Sequence, residues 1–141
     1  MTEAIYTAVA TARGDGRNGE VTSSDGIIDE SLAVPKEMGG PGGEKTNPEQ
    51  LFAAGYAACF HGAVQLVARK SKIELTDSTV TAEVSFIKQE SGAFGLAVAL
   101  KVGLPGLEQG DADELVAQAH QTCPYSNATR GNIEVALAAT V

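Results

Sequence analysis

One long apolar segment, PEQLFAAGYAACFHGAVQLVARK, constrains the fold of this chain most. Asn47 precedes it and is typical of a helix N-cap, Pro48 suits the first helical position, and Gln50 is the third helical residue. Arg69 and Lys70 lie where basic side chains favour the negative end of a helix. Apolar residues would occupy nearly every side of this helix, so the segment predicts a central buried helix.

Alternating apolar and polar residues predict strands on both sides of the helix. Before it, residues 3–13 predict a strand, and turn residues at 13–20 and 25–26 predict an antiparallel meander that ends near residue 34. After it, residues 78–89 and 92–104 alternate and predict a hairpin.

A second, shorter helix and a final strand complete the prediction. Asp111 is expected to cap a helix that reaches Thr122, because Glu114 follows three residues later and Pro124 cannot continue it. The last segment, NIEVALAATV, alternates like a strand. Helices mixed with hairpins predict an α+β fold, with antiparallel sheets around a central buried helix.

Length and composition are compatible with one folded domain over residues 1–141. Hydrophobic residues make up 43% of the chain, which is enough for a core and argues against disorder.

The charge of the chain disfavours one class of partner. Its formal net charge is −8, so the phosphates of nucleic acid would be repelled. The N-terminal residues have no basic and apolar pattern of a signal peptide, and no apolar run was expected to approach the length of a membrane span. We therefore expect a cytoplasmic protein without a membrane partner.

The segment GGPGGEKT superficially resembles a phosphate-binding loop. Such a loop has glycine directly before its lysine, whereas here Glu44 precedes Lys45. A carboxylate at this position would repel phosphate, so a connecting loop is the better interpretation.

A zinc site is a second possibility, because Cys59, His61, His120 and Cys123 supply four nitrogen and sulfur ligands. Residues two apart on a helix point roughly 200° apart, so Cys59 and His61 would face different ways. We therefore expect no metal, and interpret both histidines as ordinary surface or interface residues.

Cys59 and Cys123 also form a candidate redox pair, with inert core cysteines as the alternative. The thiolate is the reactive form, and an apolar setting raises the pKa of a thiol, so a reactive Cys59 needs a nearby cation. Arg17, within the turn sequence GRNG, is a candidate, and Glu49 is a candidate to orient its guanidinium.

The spacing of Glu49 and Cys59 poses a geometric problem. Ten residues correspond to roughly 15 Å along a straight helix. One carboxylate therefore serves this thiol only if the helix bends near Gly55 or a second subunit supplies its own Glu49.

The segments GGPGGEKTNPEQLFAAGYAACF and CPYSNATRGNI, together with GRNG and AFGL, resemble the signature segments of the organic hydroperoxide resistance proteins, the Ohr branch of the Ohr/OsmC family. The resemblance runs in order along the whole chain. It implies an OsmC-like fold, an intertwined homodimer with active sites at the subunit interface, and a cytosolic thiol peroxidase.

The resemblance also implies roles for four residues. Cys59 matches the peroxidatic cysteine and Cys123 the resolving cysteine, which would form a disulfide with it. Arg17 matches the arginine that stabilises the thiolate, and Glu49 matches the glutamate that holds this arginine.

The implied substrates are alkyl and lipid hydroperoxides, and the implied reductant is a dithiol such as the dihydrolipoyl group of a lipoylated protein, with no bound cofactor. Phe52, Phe60, Phe94 and Leu96 are candidates to line the substrate pocket, with plain core packing as the alternative. A non-enzymatic ligand- or metal-binding module remains the alternative function. A general disulfide carrier is less favoured, because the cysteines lack the C-x-x-C spacing.

Overall fold

The computed structural model describes residues 2–141. They divide into two compact units, Met1–Leu51 and Phe52–Val141, and the division falls inside the long helix after its first turn. The single-domain assignment stays a prediction. Each unit carries one three-stranded sheet.

The N-terminal unit is an antiparallel meander, as expected. Its strands are β1 (Ala10–Arg13), β2 (Glu20–Ser23) and β3 (Asp29–Ser31), in the spatial order β1-β2-β3. β1 is shorter than the strand predicted over residues 3–13, and residues 3–9 lie outside the sheet. A short 3-10 helix, Gly16–Asn18, connects β1 to β2.

Helix α1 (Pro48–Lys70) has the predicted bounds. The Asn47 side chain accepts a hydrogen bond from the Gln50 backbone N–H at 2.8 Å, which satisfies one of the free donors at the helix start. The buried side chains of α1 lie on one broad face: Tyr56, Phe60, Ala63, Val64, Val67 and Ala68. The helix is thus central but not buried on every side.

By length and composition alone, α1 is long and apolar enough to cross a membrane. This finding contradicts the expectation that no apolar run approaches the length of a membrane span. Core helices of soluble proteins share these properties. The buried face of α1 packs into the core of the C-terminal unit, together with apolar side chains from residues 98–104 and 112–119, so α1 is a core helix.

The C-terminal unit contains the predicted hairpin. β4 (Thr79–Lys88) pairs antiparallel with β5 (Phe94–Gly103), and Gly92 takes the positive φ of 89° that the turn requires. Helix α2 (Gln109–Thr122) begins two residues before the predicted cap, after Glu108.

Two features of this unit differ from the sequence prediction. A short helix, α3 (Pro124–Thr129), follows α2 directly, and β6 (Val135–Thr140) pairs with β5 in parallel, so this sheet is mixed rather than antiparallel. The connection from β5 to β6 carries both α2 and α3, which is long enough to return the chain to the start of β5. Alternating apolar and polar residues predict a strand, but they do not predict whether it pairs in parallel or antiparallel.

Candidate active site

The two cysteines lie together in the C-terminal unit. The Sγ atoms of Cys59 and Cys123 are 3.6 Å apart, within hydrogen-bonding distance, and both are free thiols. Cys59 lies midway along α1 and is half-buried, whereas Cys123 is fully buried. The fold therefore brings together two thiols that are 64 positions apart in sequence.

Pro124 explains the position of Cys123. It cannot continue α2, yet it suits the first position of α3, so Cys123 is left extended between the two helices. One proline thus ends one helix, starts the next and leaves the thiol at the junction.

The environment of Cys59 within its own unit favours the neutral thiol. Burial raises the pKa of Cys59 above its ordinary value, and the neighbouring Cys123 thiol raises it further, while the Tyr125 backbone N–H lowers it. Within residues 52–141, none of the groups that shift this pKa is a cation. Formation of the thiolate therefore calls for a positive group from elsewhere.

Arg17 and Glu49 form the predicted pair in the N-terminal unit. The two terminal nitrogens of Arg17 donate to the two carboxylate oxygens of Glu49, each at 2.9 Å, in the bidentate geometry that suits a guanidinium. The hydrogen bond from Arg17 holds the pKa of Glu49 below its usual value, against the opposing effect of burial. Arg17 lies in the 3-10 helix after β1, and Glu49 lies in the first turn of α1.

Three buried hydroxyl groups, which the sequence analysis did not identify, lie on α1, which carries Cys59, and on α3, which follows Cys123. The Tyr56 hydroxyl is 2.8 Å from Ser126 Oγ and 3.1 Å from Thr129 Oγ1. We call these three residues the hydroxyl cluster. The sequence carries little signal for it, because Tyr56 in an apolar helix is indistinguishable from a packing residue.

A cavity of about 650 Å³ opens in the same unit. Three of the four predicted pocket residues line it: Phe52, Phe94 and Leu96. Its lining also includes Gln89, Gly95, Tyr125, Ala128, Thr129, Asn132 and Ile133. Tyr125 links the cavity to the cysteines, because its side chain lines the cavity while its backbone N–H acts on Cys59.

Phe60 is the exception among the predicted pocket residues. Its side chain is fully buried in the core and does not line the cavity. On α1, Phe60 lies four residues after Tyr56 and therefore on the same inward face. Phe60 is therefore a core packing residue, which is the alternative that the sequence analysis gave to a pocket residue.

The two histidines have separate surroundings. His61 Nε2 is 2.9 Å from Ser78 Oγ, and the Arg130 guanidinium donates to the backbone carbonyl of His120. Burial and the charge of Arg130 lower the pKa of His120. Among residues 2–141, no three His, Cys, Asp or Glu side chains cluster in a way that would hold a metal ion.

Comparison with known proteins decides the family. The sequence model of the OsmC-like protein family matches residues 40–138. The chain belongs to the OsmC-like family. It is of the organic hydroperoxide resistance type, because curated relatives with that name are about half identical to it over most of its length.

One such OsmC-like relative is the organic hydroperoxide resistance protein of Xanthomonas axonopodis pv. citri, which is 52% identical over 94% of this chain and 93% of its own. Another, organic hydroperoxide resistance protein OhrB of Bacillus subtilis, is 51% identical over 95% of this chain and 97% of its own.

The fold of this OsmC-like chain is also that of a solved relative. The crystal structure of an organic hydroperoxide resistance protein from Legionella pneumophila superposes with a TM-score of 0.93, at 52% identity, over 99% of this chain and 100% of that chain. The prediction of an α+β OsmC-like fold around a central helix is thereby confirmed, and the structure shows that the fold has two small sheets.

Proposed function

We propose that this protein is a cysteine-based thiol peroxidase that reduces organic hydroperoxides to alcohols. The observation that carries the proposal is the pair of free thiols 3.6 Å apart, in a chain whose relatives are organic hydroperoxide resistance proteins. Two adjacent thiols can supply the two electrons that reduce one peroxide, and they are thereby oxidised to a disulfide.

In the first step, the Cys59 thiolate attacks the terminal oxygen of the hydroperoxide. A sulfur–oxygen bond forms, the oxygen–oxygen bond breaks, and the alkoxide leaves and takes up a proton to become an alcohol. Cys59 is oxidised to a sulfenic acid. Cys59 is the candidate for this role because it is half-buried, whereas Cys123 has no exposed surface.

Arg17 is proposed to supply the positive charge for this step. An arginine stays protonated when it is desolvated, so it is able to favour the thiolate and to stabilise the charge that develops on the leaving oxygen. Its bidentate bond to Glu49 fixes the orientation of the guanidinium plane. Membership of the OsmC-like family supports the assignment of both pairs, Cys59–Cys123 and Arg17–Glu49, to one reaction.

In the second step, the Cys123 sulfur attacks the sulfur of the Cys59 sulfenic acid. The disulfide forms, the sulfur–oxygen bond breaks, and hydroxide leaves with the proton of Cys123 as water. An external dithiol then reduces the disulfide. We propose a dihydrolipoyl group on a lipoylated protein as this dithiol, and no bound cofactor is needed.

The cavity is the proposed binding site for the organic part of the peroxide. Phe52, Phe94, Leu96 and Ile133 give it apolar walls, and none of its lining residues carries a formal charge. Such a lining favours alkyl and lipid hydroperoxides over hydrogen peroxide, which has no apolar part to bury.

We further propose that the protein acts in the cytoplasm as a homodimer. One side of α1 exposes small residues, Ala54, Ala58 and Gly62, which allow another backbone to approach closely. Large apolar side chains of the N-terminal unit are also exposed, among them Ile5, Tyr6 and Ile27. A second copy that covers these surfaces would remove apolar area from water.

A single-turnover assay with an alkyl hydroperoxide and no reductant tests the function. We expect Cys59→Ser to abolish peroxide consumption. The matched variant, Cys123→Ser, should still consume the first equivalent but stop at a sulfenic acid. Full peroxide consumption by Cys59→Ser would refute the assignment.

A further inference from the structure

We propose that the hydroxyl cluster formed by Tyr56, Ser126 and Thr129 positions Cys123 for disulfide formation. It would control the second step of the reaction and leave the reduction of the peroxide unaffected. The proposal rests on the thiol peroxidase function given above. These three are positioning residues, because their hydroxyl groups bond to one another and act on the sulfur atoms only through the helices that carry them.

The placement of the cluster on α1 is the first argument. Phe52, Gly55, Tyr56 and Cys59 are spaced i, i+3, i+4 and i+7, so they form one continuous line on the helix surface. Tyr56 lies one turn before Cys59 on this line. A segment that shifts where it packs on Tyr56 would therefore also shift relative to the Cys59 sulfur, one turn away.

The partner of this line is the segment that begins with Cys123. Ser126 and Thr129 are spaced three residues apart on α3, which places them on one side of this short helix, and Cys123 lies directly before its first residue. Ser126 and Thr129 bond to the Tyr56 hydroxyl, and the Cys123 sulfur lies 3.6 Å from that of Cys59. The two helices are thus joined at two levels, by hydroxyls and by thiols.

Burial makes the hydroxyl bonds selective for one arrangement. Tyr56 and Ser126 are fully buried, so water is not available to replace a partner that either of them loses. Thr129, which is 7% exposed, also lines the cavity. If α3 shifted on α1, buried hydroxyl groups would be left unpaired, at a cost that exceeds the net gain from an ordinary hydrogen bond. Thr129 Oγ1 also donates to the Ser126 carbonyl at 3.3 Å, which ties the cluster to the α3 backbone.

Disulfide formation needs such an anchor. The sulfur atoms are 3.6 Å apart, and a disulfide bond is about 2.05 Å long, so they must approach further. If the hydroxyl cluster holds the body of α3, the junction at Cys123 is the part that moves. Without the cluster, α3 samples more positions and the two sulfurs meet less often.

A competing reaction makes this step measurable. While the Cys59 sulfenic acid persists, a second hydroperoxide is able to oxidise it to a sulfinic acid, and that hydroperoxide is itself reduced to an alcohol. Slower attack by Cys123 therefore increases the sulfinic acid fraction at a given peroxide concentration. At a fixed peroxide concentration, the ratio of disulfide to sulfinic acid measures how fast closure is relative to this second oxidation.

Tyr56→Phe is the direct test, because it removes the hydroxyl and keeps the ring. Rapid quenching with a thiol-blocking reagent, followed by mass spectrometry, would measure both steps. We expect first-turnover peroxide consumption within about twofold of the wild type. Closure should be slowed about tenfold or more, because the variant loses both hydrogen bonds of the Tyr56 hydroxyl, to Ser126 and to Thr129. The control, Ser85→Ala, removes an exposed hydroxyl of β4 and should change neither step.

Wild-type closure in Tyr56→Phe would overturn the proposal. An equal slowing of both steps would overturn it too, because it would show a general disturbance around Cys59. If Tyr56→Phe fails to fold, Ser126→Ala tests the same bond from the other side, with the same expected selective slowing of closure.

The double variant Tyr56→Phe/Ser126→Ala separates positioning from stability. Removing both partners avoids an unpaired buried hydroxyl on Ser126, so the urea midpoint should recover toward that of the wild type. Closure should stay slow, since the connection between the helices is still missing. Recovery of closure together with stability would show that the cluster acts only on the stability of the fold.

Discussion

At the scale of single residues, the protonation of Cys59 depends on opposing effects. Burial and the Cys123 thiol raise its pKa, and the Tyr125 backbone N–H lowers it. A sulfur in this position is protected from deprotonation unless a cation acts on it. The proposed role of Arg17 follows from this requirement and from the family, and the Arg17–Glu49 pair is formed in the structure.

The Arg17–Glu49 pair predicts a pH dependence of stability. The folded-state pKa of Glu49 lies below its ordinary value of 4.5, so the pair contributes stability at pH values above 4.5. This contribution is lost as the pH falls below 4.5 and through the folded-state pKa. Urea midpoints of the wild type and Glu49→Gln should therefore differ at pH 7 and converge toward pH 3.

The matched control is Glu83→Gln, which removes the carboxylate from an ion pair with Lys101 in which both side chains are more than half exposed. Such pairs contribute little, so its midpoint should stay near that of the wild type at neutral pH. A Glu49→Gln difference that persists unchanged to pH 3 would contradict the account of this pair.

At the scale of elements, the contact between α1 and α3 depends on the absence of a side chain at Gly55. A Cβ atom built there would lie 3.0 Å from the Tyr125 hydroxyl oxygen and 3.2 Å from its Cε2. Glycine in a helix interior costs about 1 kcal/mol relative to alanine. The close approach of the Tyr125 ring is a physical reason for this cost to be tolerated.

Gly55→Ala should consequently change the free energy of unfolding by less than its helix propensity suggests. We expect the gain of about 1 kcal/mol to be largely offset, because the partly exposed Tyr125 ring must tilt away. In a Tyr125→Ala background, the same substitution should stabilise by the full amount. Equal effects in both backgrounds, measured by urea unfolding, would show that the two residues are not coupled.

The elements differ in how much of them the sequence predicts. The bounds of α1 follow from Asn47, Pro48 and the length of the apolar run, all of which act locally. The direction of β6 does not, because it depends on the path of the chain through α2 and α3. α3 itself is not predicted, since a six-residue segment that begins with a proline resembles a turn.

The candidate site also has features that the sequence predicts and features that depend on the fold. The sequence offers Cys59, Cys123, Arg17 and Glu49 as candidates and the family resemblance implies their roles, but the pairing of each two requires the fold. The hydroxyl cluster joins Tyr56 to residues 70 and 73 positions later, so no local pattern reveals it. Phe60 resembles Phe52 in sequence, and only the packing shows that one is in the core and the other at the cavity.

At the scale of the whole molecule, the exposed small residues on α1 predict self-association. Light scattering coupled to size exclusion should give twice the chain mass of 14.5 kDa. Ala58→Glu should shift the protein toward the monomer, because it adds bulk and charge to the proposed contact. Ala117→Glu, an equivalent change at an exposed alanine of α2, should leave the dimer intact.

A monomer mass for the wild type would contradict the homodimer. A dimer that tolerates Ala58→Glu as well as Ala117→Glu would instead place the contact on another surface of the molecule.

The most direct test of the proposed reaction is intact-protein mass spectrometry after one equivalent of an organic hydroperoxide, without reductant. The account predicts a chain lighter by two hydrogen atoms, in which Cys59 and Cys123 are linked within the same chain and neither reacts with a thiol-blocking reagent. An unchanged mass with both thiols still reactive, while the peroxide persists, would contradict it.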